Sequence, residues 1–193
     1  MIRESIVATL GPEGQVHLAP IGVIVEGSNL VIAPFRPSTT LDNLIATRHA
    51  VVNYTDDMRV FAGCVSGRSR EWPTRPATRV PGAVLEQALA HAELETIETR
   101  DDPQRPRILC RVVHSETHAP FLGFNRAQAA VVEAAILASR LSLLPRERIE
   151  REIAYLEVAV GKTAGPRERE AWSWLQEMIQ DYWRGHDRVA VRR

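Results

Sequence analysis

This chain of 193 residues contains few cysteines and has no excess of charge of either sign. The two cysteines, Cys64 and Cys110, lack the short spacing of metal-binding pairs, and we expect a reduced, cytoplasmic environment. Basic and acidic residues number 24 each, which gives a formal net charge of zero. This balance argues against a protein that binds nucleic acid through bulk positive charge.

Long uncharged apolar runs and the common catalytic motifs are missing too. The longest apolar stretch, 127–144, is interrupted by Gln128, Glu133 and Arg140, which predicts a buried helix rather than a membrane span. The sequence has no Walker loop, no G-x-G-x-x-G after a strand, no G-x-S-x-G elbow and no H-E-x-x-H. No secretory signal precedes the first strand-like segment.

The first part of the chain consists of strand patterns separated by turn signals such as GPEG and EGSN. Tight turns of this kind favour antiparallel pairing. The second strand is apolar at both parities, which is typical of a barrel wall that is covered on its outer side. These features predict an α+β protein with a mainly β core, a barrel of about six antiparallel strands. The predicted strands are 4–10, 15–25, 30–35, 50–55, 93–100 and 107–118.

After the sixth strand the apolar residues recur with the period of a helix, and we expect about three helices. The predicted domains are therefore a barrel over 1–124 and a helical subdomain over 125–193. Within the barrel domain, 39–48 is predicted to be a short helix and 83–92 another. Segment 66–82 is rich in Arg, Pro and Gly and is predicted to be a long loop, either solvated or facing an anionic ligand.

The segment APFRPSTTLDNL, residues 33–44, joins a strand to a helix. A helix that begins after the hydroxyl residues directs its first free N–H groups toward the end of the strand, where an anion is favoured. The same pattern is also typical of an ordinary N-cap that stabilises a helix by about 1 kcal/mol, and Asp42 would repel a phosphate. The residues alone support a cap and a phosphate site about equally. The candidate phosphate contacts are Arg36, Ser38, Thr39, Thr40 and Asn43.

Pro20 and Gly22 interrupt the second strand, which is otherwise apolar. Proline cannot donate to a strand ladder, and glycine often marks a close backbone approach. Together they predict a short gap in strand pairing where the backbone can meet the edge of a planar ring. A simple bulge or barrel corner would give the same pattern.

The motif HSETH, residues 114–118, is a candidate metal site. On a strand His114, Glu116 and His118 share one face, and two histidines with a carboxylate can bind iron or zinc. Alternating polar residues more commonly form the solvated face of a strand. We therefore assign no metal, and a metal-dependent enzyme using these three residues is the weakest hypothesis.

Several segments, taken in order, resemble the FMN-binding split-barrel proteins. In the first half these are APIGV (19–23), RPSTTLDNL (36–44) and AVVNYTDDMRVFA (50–62). More narrowly, the chain is similar to the group known as domain of unknown function 447, found in archaea and in bacteria that use tetrahydromethanopterin. FLGFNRAQAAVVEAAILASRL (121–141) and VGKTAG (160–165) match the helical half of that group.

This resemblance implies a split barrel that forms a homodimer with FMN at the subunit interface. It implies that the phosphate lies on the candidate contacts of 33–44 and that the ring lies along the backbone of Ala19, Pro20, Ile21 and Gly22. It also implies that Asn125 and Arg126 of the partner close the site.

The resemblance predicts a flavoprotein and leaves open whether it is an enzyme. One hypothesis is a flavin-dependent oxidoreductase linked to one-carbon metabolism, acting on a small-molecule substrate that the sequence does not identify. The alternative is a non-enzymatic dimeric module that binds flavin or another phosphate ligand. No catalytic residue is assigned, and neither a nucleic acid nor a membrane is expected as a partner.

Overall fold

The computed structural model describes residues 1–190, and the side chains of residues 1–186. Within these residues, six strands close into an antiparallel barrel in the order β1-β2-β3-β8-β7-β4, and β5 pairs with β6. The strands are β1 (Ile2–Leu10), β2 (Val16–Glu26), β3 (Asn29–Ile32), β4 (His49–Tyr54), β5 (Thr74–Pro76), β6 (Ala83–Leu85), β7 (Ala90–Arg100) and β8 (Arg107–Thr117). The helices are α1 (Thr39–Thr47), α2 (Met58–Ser66), α3 (Arg126–Ala138), α4 (Arg146–Thr163) and α5 (Pro166–Ala190). The predicted barrel with a C-terminal helical part is confirmed.

The chain divides into two compact units. The barrel unit comprises Met1–Asp56 and Glu71–Phe121, and the helical unit comprises Asp57–Arg70 and the chain from Leu122 onward. Segment 57–70, which carries α2, thus groups with the C-terminal helices, whereas the sequence placed it in the barrel domain.

The core of the barrel unit consists of inward-facing strand residues together with two leucines of α1, Leu41 and Leu44. Because β-strand side chains alternate between faces, Val23 of β2 points into this core while its neighbours Gly22 and Ile24 point outward. The helix α1 follows β3 and packs against β1 and β2. Its position leaves the N-terminus of α1 at the edge of the barrel wall.

The short helix predicted over 83–92 is wrong, because these residues form β6 and the beginning of β7. Their alanine, leucine and glutamate content favours a helix, but tertiary contacts override that preference. The backbone N–H of Leu85 donates to Oδ1 of the buried Asn53 at 2.8 Å, and β6 pairs with β5. The predicted loop 66–82 is not irregular throughout either, because it contains β5.

In the helical unit α2 packs against α3 and α5. The sequence pattern did not predict α2, which begins after the N-cap Asp57 and ends at Gly67 in the left-handed region. The inner face of α3 is mostly alanine, which permits close approach of neighbouring helices. Among the described residues, no helix combines the length and apolarity that crossing a membrane requires.

Candidate functional site

The start of α1 is built as an N-cap with hydroxyl groups around it. Ser38 is the N-cap residue, and its side chain accepts from the backbone N–H of Leu41 at 3.3 Å. Thr39 and Thr40 are the first two residues of the helix, so their N–H groups have no partner within it. The cap and the anion site therefore do not exclude one another, because the cap uses the third N–H group and leaves the first two.

The predicted phosphate contacts differ in how far they are exposed. Thr39 is exposed, whereas Thr40 is only 2% exposed. Asn43 is buried too, and its Nδ2 donates to Oγ1 of Thr9 in β1 at 3.0 Å. The amide of Asn43 thus anchors α1 to the barrel wall. The residues that present accessible groups are Arg36, Ser38 and Thr39.

Arg36 lies beside the tip of the β7–β8 hairpin. Its Nη2 donates to Oδ1 of Asp101 at 2.8 Å, and its backbone N–H donates to the carbonyl of Gln104 at 2.9 Å. Both side chains of the Arg36–Asp101 pair are exposed, at 44% and 80%. An exposed pair of this kind contributes only about 0–1 kcal/mol. The guanidinium can therefore exchange Asp101 for an anionic ligand at little cost.

A second arginine lies at the same junction and was missed by the sequence reasoning. Nε of Arg105 donates to the carbonyl of Ala33 at 2.8 Å, and its guanidinium lies 4.9 Å from the ring centroid of Phe35. The strands on both sides of residues 101–106 were predicted, but the contact spans 72 positions of sequence and local pattern does not reveal it.

The predicted gap in strand pairing at Pro20 and Gly22 is not present toward β1. Pairing of β2 with β1 is unbroken from Leu10↔Val16 to Ile2↔Ile24. The N–H of Val25 donates to Met1, so odd-numbered residues of β2 direct their backbone groups toward β1 and even-numbered ones direct them away. Residue 20 is even-numbered, so a backbone N–H at this position would point away from β1. The lack of an N–H in Pro20 therefore removes no hydrogen bond between β1 and β2.

The open edge of β2 arises from the shortness of β3 instead. β3 pairs only with Ile24, Val25 and Glu26, so within the described chain residues 16–23 have no sheet partner on that side. Gly22 has a packing reason as well, because a Cβ there would come within 2.7 Å of Cγ2 of Ile2. The predicted ring-contacting segment, 19–22, is thus an open strand edge.

The barrel unit brings these two predicted segments to the same region. β3 separates from β2 after the Ile24↔Val31 pair, and the chain then runs from Ala33 to the N-cap Ser38. The open edge of β2 and the start of α1 therefore both lie beyond the C-terminal end of β3. Hydroxyl, guanidinium and free N–H donors at this junction suit a phosphate dianion, and the unpaired backbone edge suits a planar polar ring.

Asn125 and Arg126 lie in the helical unit at the start of α3. Oδ1 of Asn125 accepts from the N–H groups of Ala127 and Gln128 at 2.8 and 3.3 Å, and its Nδ2 donates to the carbonyl of Thr163 at 3.1 Å. This side chain caps α3 and ties it to the end of α4. Arg126 is exposed, and the role of both residues toward a ligand stays a prediction.

The face that carries HSETH is more elaborate than the motif indicates. His114 and Glu116 approach one another only to 4.0 Å, and Glu116 and His118 to 3.8 Å. The closest contact of the group involves His91, whose Nδ1 lies 2.8 Å from Nε2 of His118. His91 was missed because this strand was predicted to begin only at residue 93 and the preceding residues were assigned to a helix. Glu93 lay within the predicted strand, but its contacts with residues 78–80 are not visible in a local pattern.

Glu93 is fully buried and accepts three backbone N–H groups from the segment that precedes β6. Thr78 donates to Oε1 at 2.7 Å, while Arg79 and Val80 donate to Oε2 at 2.6 and 3.0 Å. Burial acts to raise the pKa of Glu93, but these donors and His91 outweigh it and lower the pKa below its usual value. Glu93 is therefore ionised at neutral pH and holds the Arg/Pro-rich segment on the outside of the barrel.

Neither cysteine is suited to nucleophilic chemistry. Cys64 and Cys110 are free thiols, and burial raises the pKa of each to about 11. The thiolate is the reactive form, so both are inert near pH 7.

Family models match most of the chain. The N-terminal domain of the proteins of unknown function DUF447 matches residues 3–119, and the C-terminal DUF447 model matches residues 125–177. A search of curated proteins gave no match.

Solved structures with the same fold include an FMN-bound DUF447 protein from Methanosarcina mazei. It is 24% identical with a TM-score of 0.81, and the match covers 92% of this chain and 94% of that one. The 2-nitrobenzoate 2-nitroreductase of Pseudomonas fluorescens is 23% identical, with a TM-score of 0.52 over 60% of this chain and 64% of that one. Flavoredoxin from Methanosarcina acetivorans is 12% identical, with a TM-score of 0.52 over 63% of this chain and 72% of that one.

Proposed function

We propose that this chain, which belongs to the DUF447 family of proteins of unknown function, is an FMN-binding flavoprotein that acts as an oxidoreductase. The junction between β3 and α1 carries this proposal, because it places Arg36, Ser38 and Thr39 beside an unpaired edge of β2. A structure with the same fold and family, from Methanosarcina mazei, is described as FMN-bound, which supports the choice of ligand.

The residues present divide the binding of FMN into two parts. The N–H group and the hydroxyl of Thr39 and the guanidinium of Arg36 would hold the phosphate. The backbone between Ala19 and Gly22 would lie along the ring and supply hydrogen-bonding groups to its polar edge. Bound FMN supplies hydride and electron transfer, while the protein orients it and tunes it through such hydrogen bonds.

Titration with FMN tests the proposal directly. We expect the purified protein either to carry flavin already or to bind FMN with one site per chain, since each chain supplies a complete set of phosphate donors. Binding is measured from the change in flavin absorbance and fluorescence. A protein that is colourless as purified and leaves both signals unchanged on titration would contradict the proposal.

The oxidoreductase activity needs a separate measurement, because the same site could serve a non-enzymatic carrier or sensor. Anaerobic addition of NADH or NADPH to the FMN-loaded protein distinguishes these functions. We expect NADH or NADPH to reduce the bound flavin at a rate that can support turnover. An electron acceptor added afterwards should reoxidise it. Bound flavin that stays oxidised with both donors would indicate the binding module instead.

A homodimer is part of the same proposal. Large apolar side chains are exposed on the barrel unit, among them Ile2, Phe35 and Ile45. Exposed apolar surface of this kind can be covered by a partner subunit. The association with tetrahydromethanopterin-linked one-carbon metabolism is supported by the family resemblance alone, and so is the part assigned to Asn125 and Arg126 of a partner.

Substitutions at Ser38 and Thr39 separate the cap from the phosphate contact. Ser38→Ala removes the acceptor for the N–H of Leu41 and should lower the free energy of unfolding by about 1 kcal/mol. Thr39→Ala removes no cap, so we expect little loss of stability but FMN binding that is about tenfold weaker. Urea unfolding of the apoprotein and FMN titration are compared for both variants. Equal losses of stability and affinity in Thr39→Ala would mean that its hydroxyl acts only through the helix.

A further inference from the structure

A cluster of three histidines and two glutamates lies on the outer face of β7 and β8, in the barrel unit. Strand pairing places His91 opposite Glu116 and Glu93 opposite His114, and His118 follows directly after β8. One ligand atom from each of His91, Glu116 and His118 lies within 4.8 Å of the others. The proposed FMN contacts use none of these residues.

The contacts fix where the proton of His91 resides. Nε2 of His91 lies 3.3 Å from Oε1 of Glu93, a side chain whose two oxygens also accept three backbone N–H groups. Nε2 therefore carries the proton, and Nδ1 presents a lone pair toward Nε2 of His118, 2.8 Å away. A buried carboxylate that orients an imidazole in this way is the usual companion of a histidine that ligates a metal.

We propose that His91 Nδ1, His118 Nε2 and the carboxylate of Glu116 bind a divalent transition metal ion of the zinc class. Glu93 is the orienting group rather than a ligand, because both its oxygens are taken by backbone N–H groups. Two imidazoles and one carboxylate are a ligand set that zinc accepts, with its fourth position left for water or another small ligand.

The site needs only small side-chain adjustments to accept the ion. Two nitrogens that each lie about 2.0–2.1 Å from a tetrahedral zinc stand roughly 3.3 Å apart, so His91 and His118 would separate by about half an ångström. The side chain of His118 is 20% exposed and that of Glu116 is 49% exposed, so both can move.

The charges around the site favour a cation with one exception. The carboxylates of Glu93 and Glu116 attract a cation. The exception is Arg75, the basic side chain that contacts the cluster among the described residues. Its Nη2 lies 3.1 Å from Nε2 and 3.3 Å from Nδ1 of His118. A bound ion would have to displace this guanidinium, so Arg75 lowers the affinity of the site and its removal should raise it.

Zinc chloride titrated into the purified protein against a chelating indicator tests this proposal. We expect one zinc ion per chain, with no competition from Mg²⁺, which prefers oxygen ligands. His118→Ala and Glu116→Gln should each weaken zinc binding at least about tenfold, and Arg75→Ala should tighten it. Circular dichroism verifies that each variant is folded, and these three side chains are exposed enough for that to be expected.

His49→Ala serves as the matched control. It removes one histidine from β4, where it pairs with Glu95 rather than with the cluster, and it should leave zinc affinity unchanged. The proposal is overturned if the wild-type protein takes up no stoichiometric zinc. It is equally overturned if His118→Ala and Glu116→Gln bind zinc as well as the wild type, or if His49→Ala weakens binding as much as they do.

Discussion

Glu93→Gln is expected to lower the free energy of unfolding by about 3–5 kcal/mol, because it replaces a fully buried acceptor by a group that is half donor. In the native protein the two carboxylate oxygens accept from Thr78, Arg79 and Val80. The glutamine amide has only one oxygen, so it can accept N–H groups at one of the two positions. At the other position its NH₂ group would face backbone N–H groups, which are also donors. Urea unfolding at pH 7, followed by circular dichroism, measures the difference.

Glu95→Gln is the matched control on the same strand. Glu95 pairs with Arg111 at 2.7 Å, but both side chains are partly exposed, so this change should cost no more than about 1 kcal/mol. If the two variants lose similar stability, the carboxylate of Glu93 does not hold the Arg/Pro-rich segment as the contacts indicate.

The cost of Glu93→Gln should also depend on pH. The pKa of Glu93 is lower in the folded protein than its ordinary value of 4.5. Its contribution to stability is therefore fully present above about pH 4.5 and is lost as the pH falls through the lowered folded value. We expect the gap between wild type and Glu93→Gln to narrow in acid, while a gap that stays constant would show that ionisation is not its source.

The six barrel strands and α1 could be predicted because local signals define them. The turn sequences GPEG and EGSN end a strand whatever the tertiary contacts around them. Ser38 caps the start of a helix with its own side chain, so this signal is local too. The segment 83–92 could not be predicted in this way, since its strand structure depends on pairing with β5 and on a hydrogen bond from Leu85 to Asn53, which is 32 residues away in sequence. Local preference there points to a helix, and burial decides otherwise.

The residues of the candidate sites divide in the same way, into those that a local stretch of sequence reveals and those that only tertiary contacts bring together. Arg36, Ser38 and Thr39 are neighbours in sequence, so one stretch reveals them together. Arg105 reaches Ala33 only because the β7–β8 hairpin folds back onto the junction. The histidine cluster was visible in part, as HSETH. If the predicted strand 93–100 had begun two residues earlier, pairing with the strand 107–118 would have placed His91 opposite Glu116, but residues 83–92 were incorrectly assigned to a helix.

Arg36→Ala is expected to weaken FMN binding about 10- to 100-fold, since a charge-assisted hydrogen bond to phosphate contributes about 1.5–3 kcal/mol. Stability should hardly change, because the Arg36–Asp101 pair is exposed. Fluorescence titration of the apoprotein with FMN gives the affinity. The same titration with riboflavin, which lacks the phosphate, should show no difference between Arg36→Ala and wild type.

Asp101→Asn changes the same contact in the opposite direction. It releases Arg36 from its partner at 2.8 Å and removes a negative charge near the phosphate, so FMN affinity should stay equal or rise by up to about fivefold. Arg100→Ala, which removes an exposed arginine paired with Glu98 on the same hairpin, controls for bulk charge and should have little effect. If Arg36→Ala weakens riboflavin and FMN alike, Arg36 supports the loop rather than the phosphate. If Arg36→Ala and Arg100→Ala weaken FMN equally, long-range charge attracts the ligand and the junction is not its specific site.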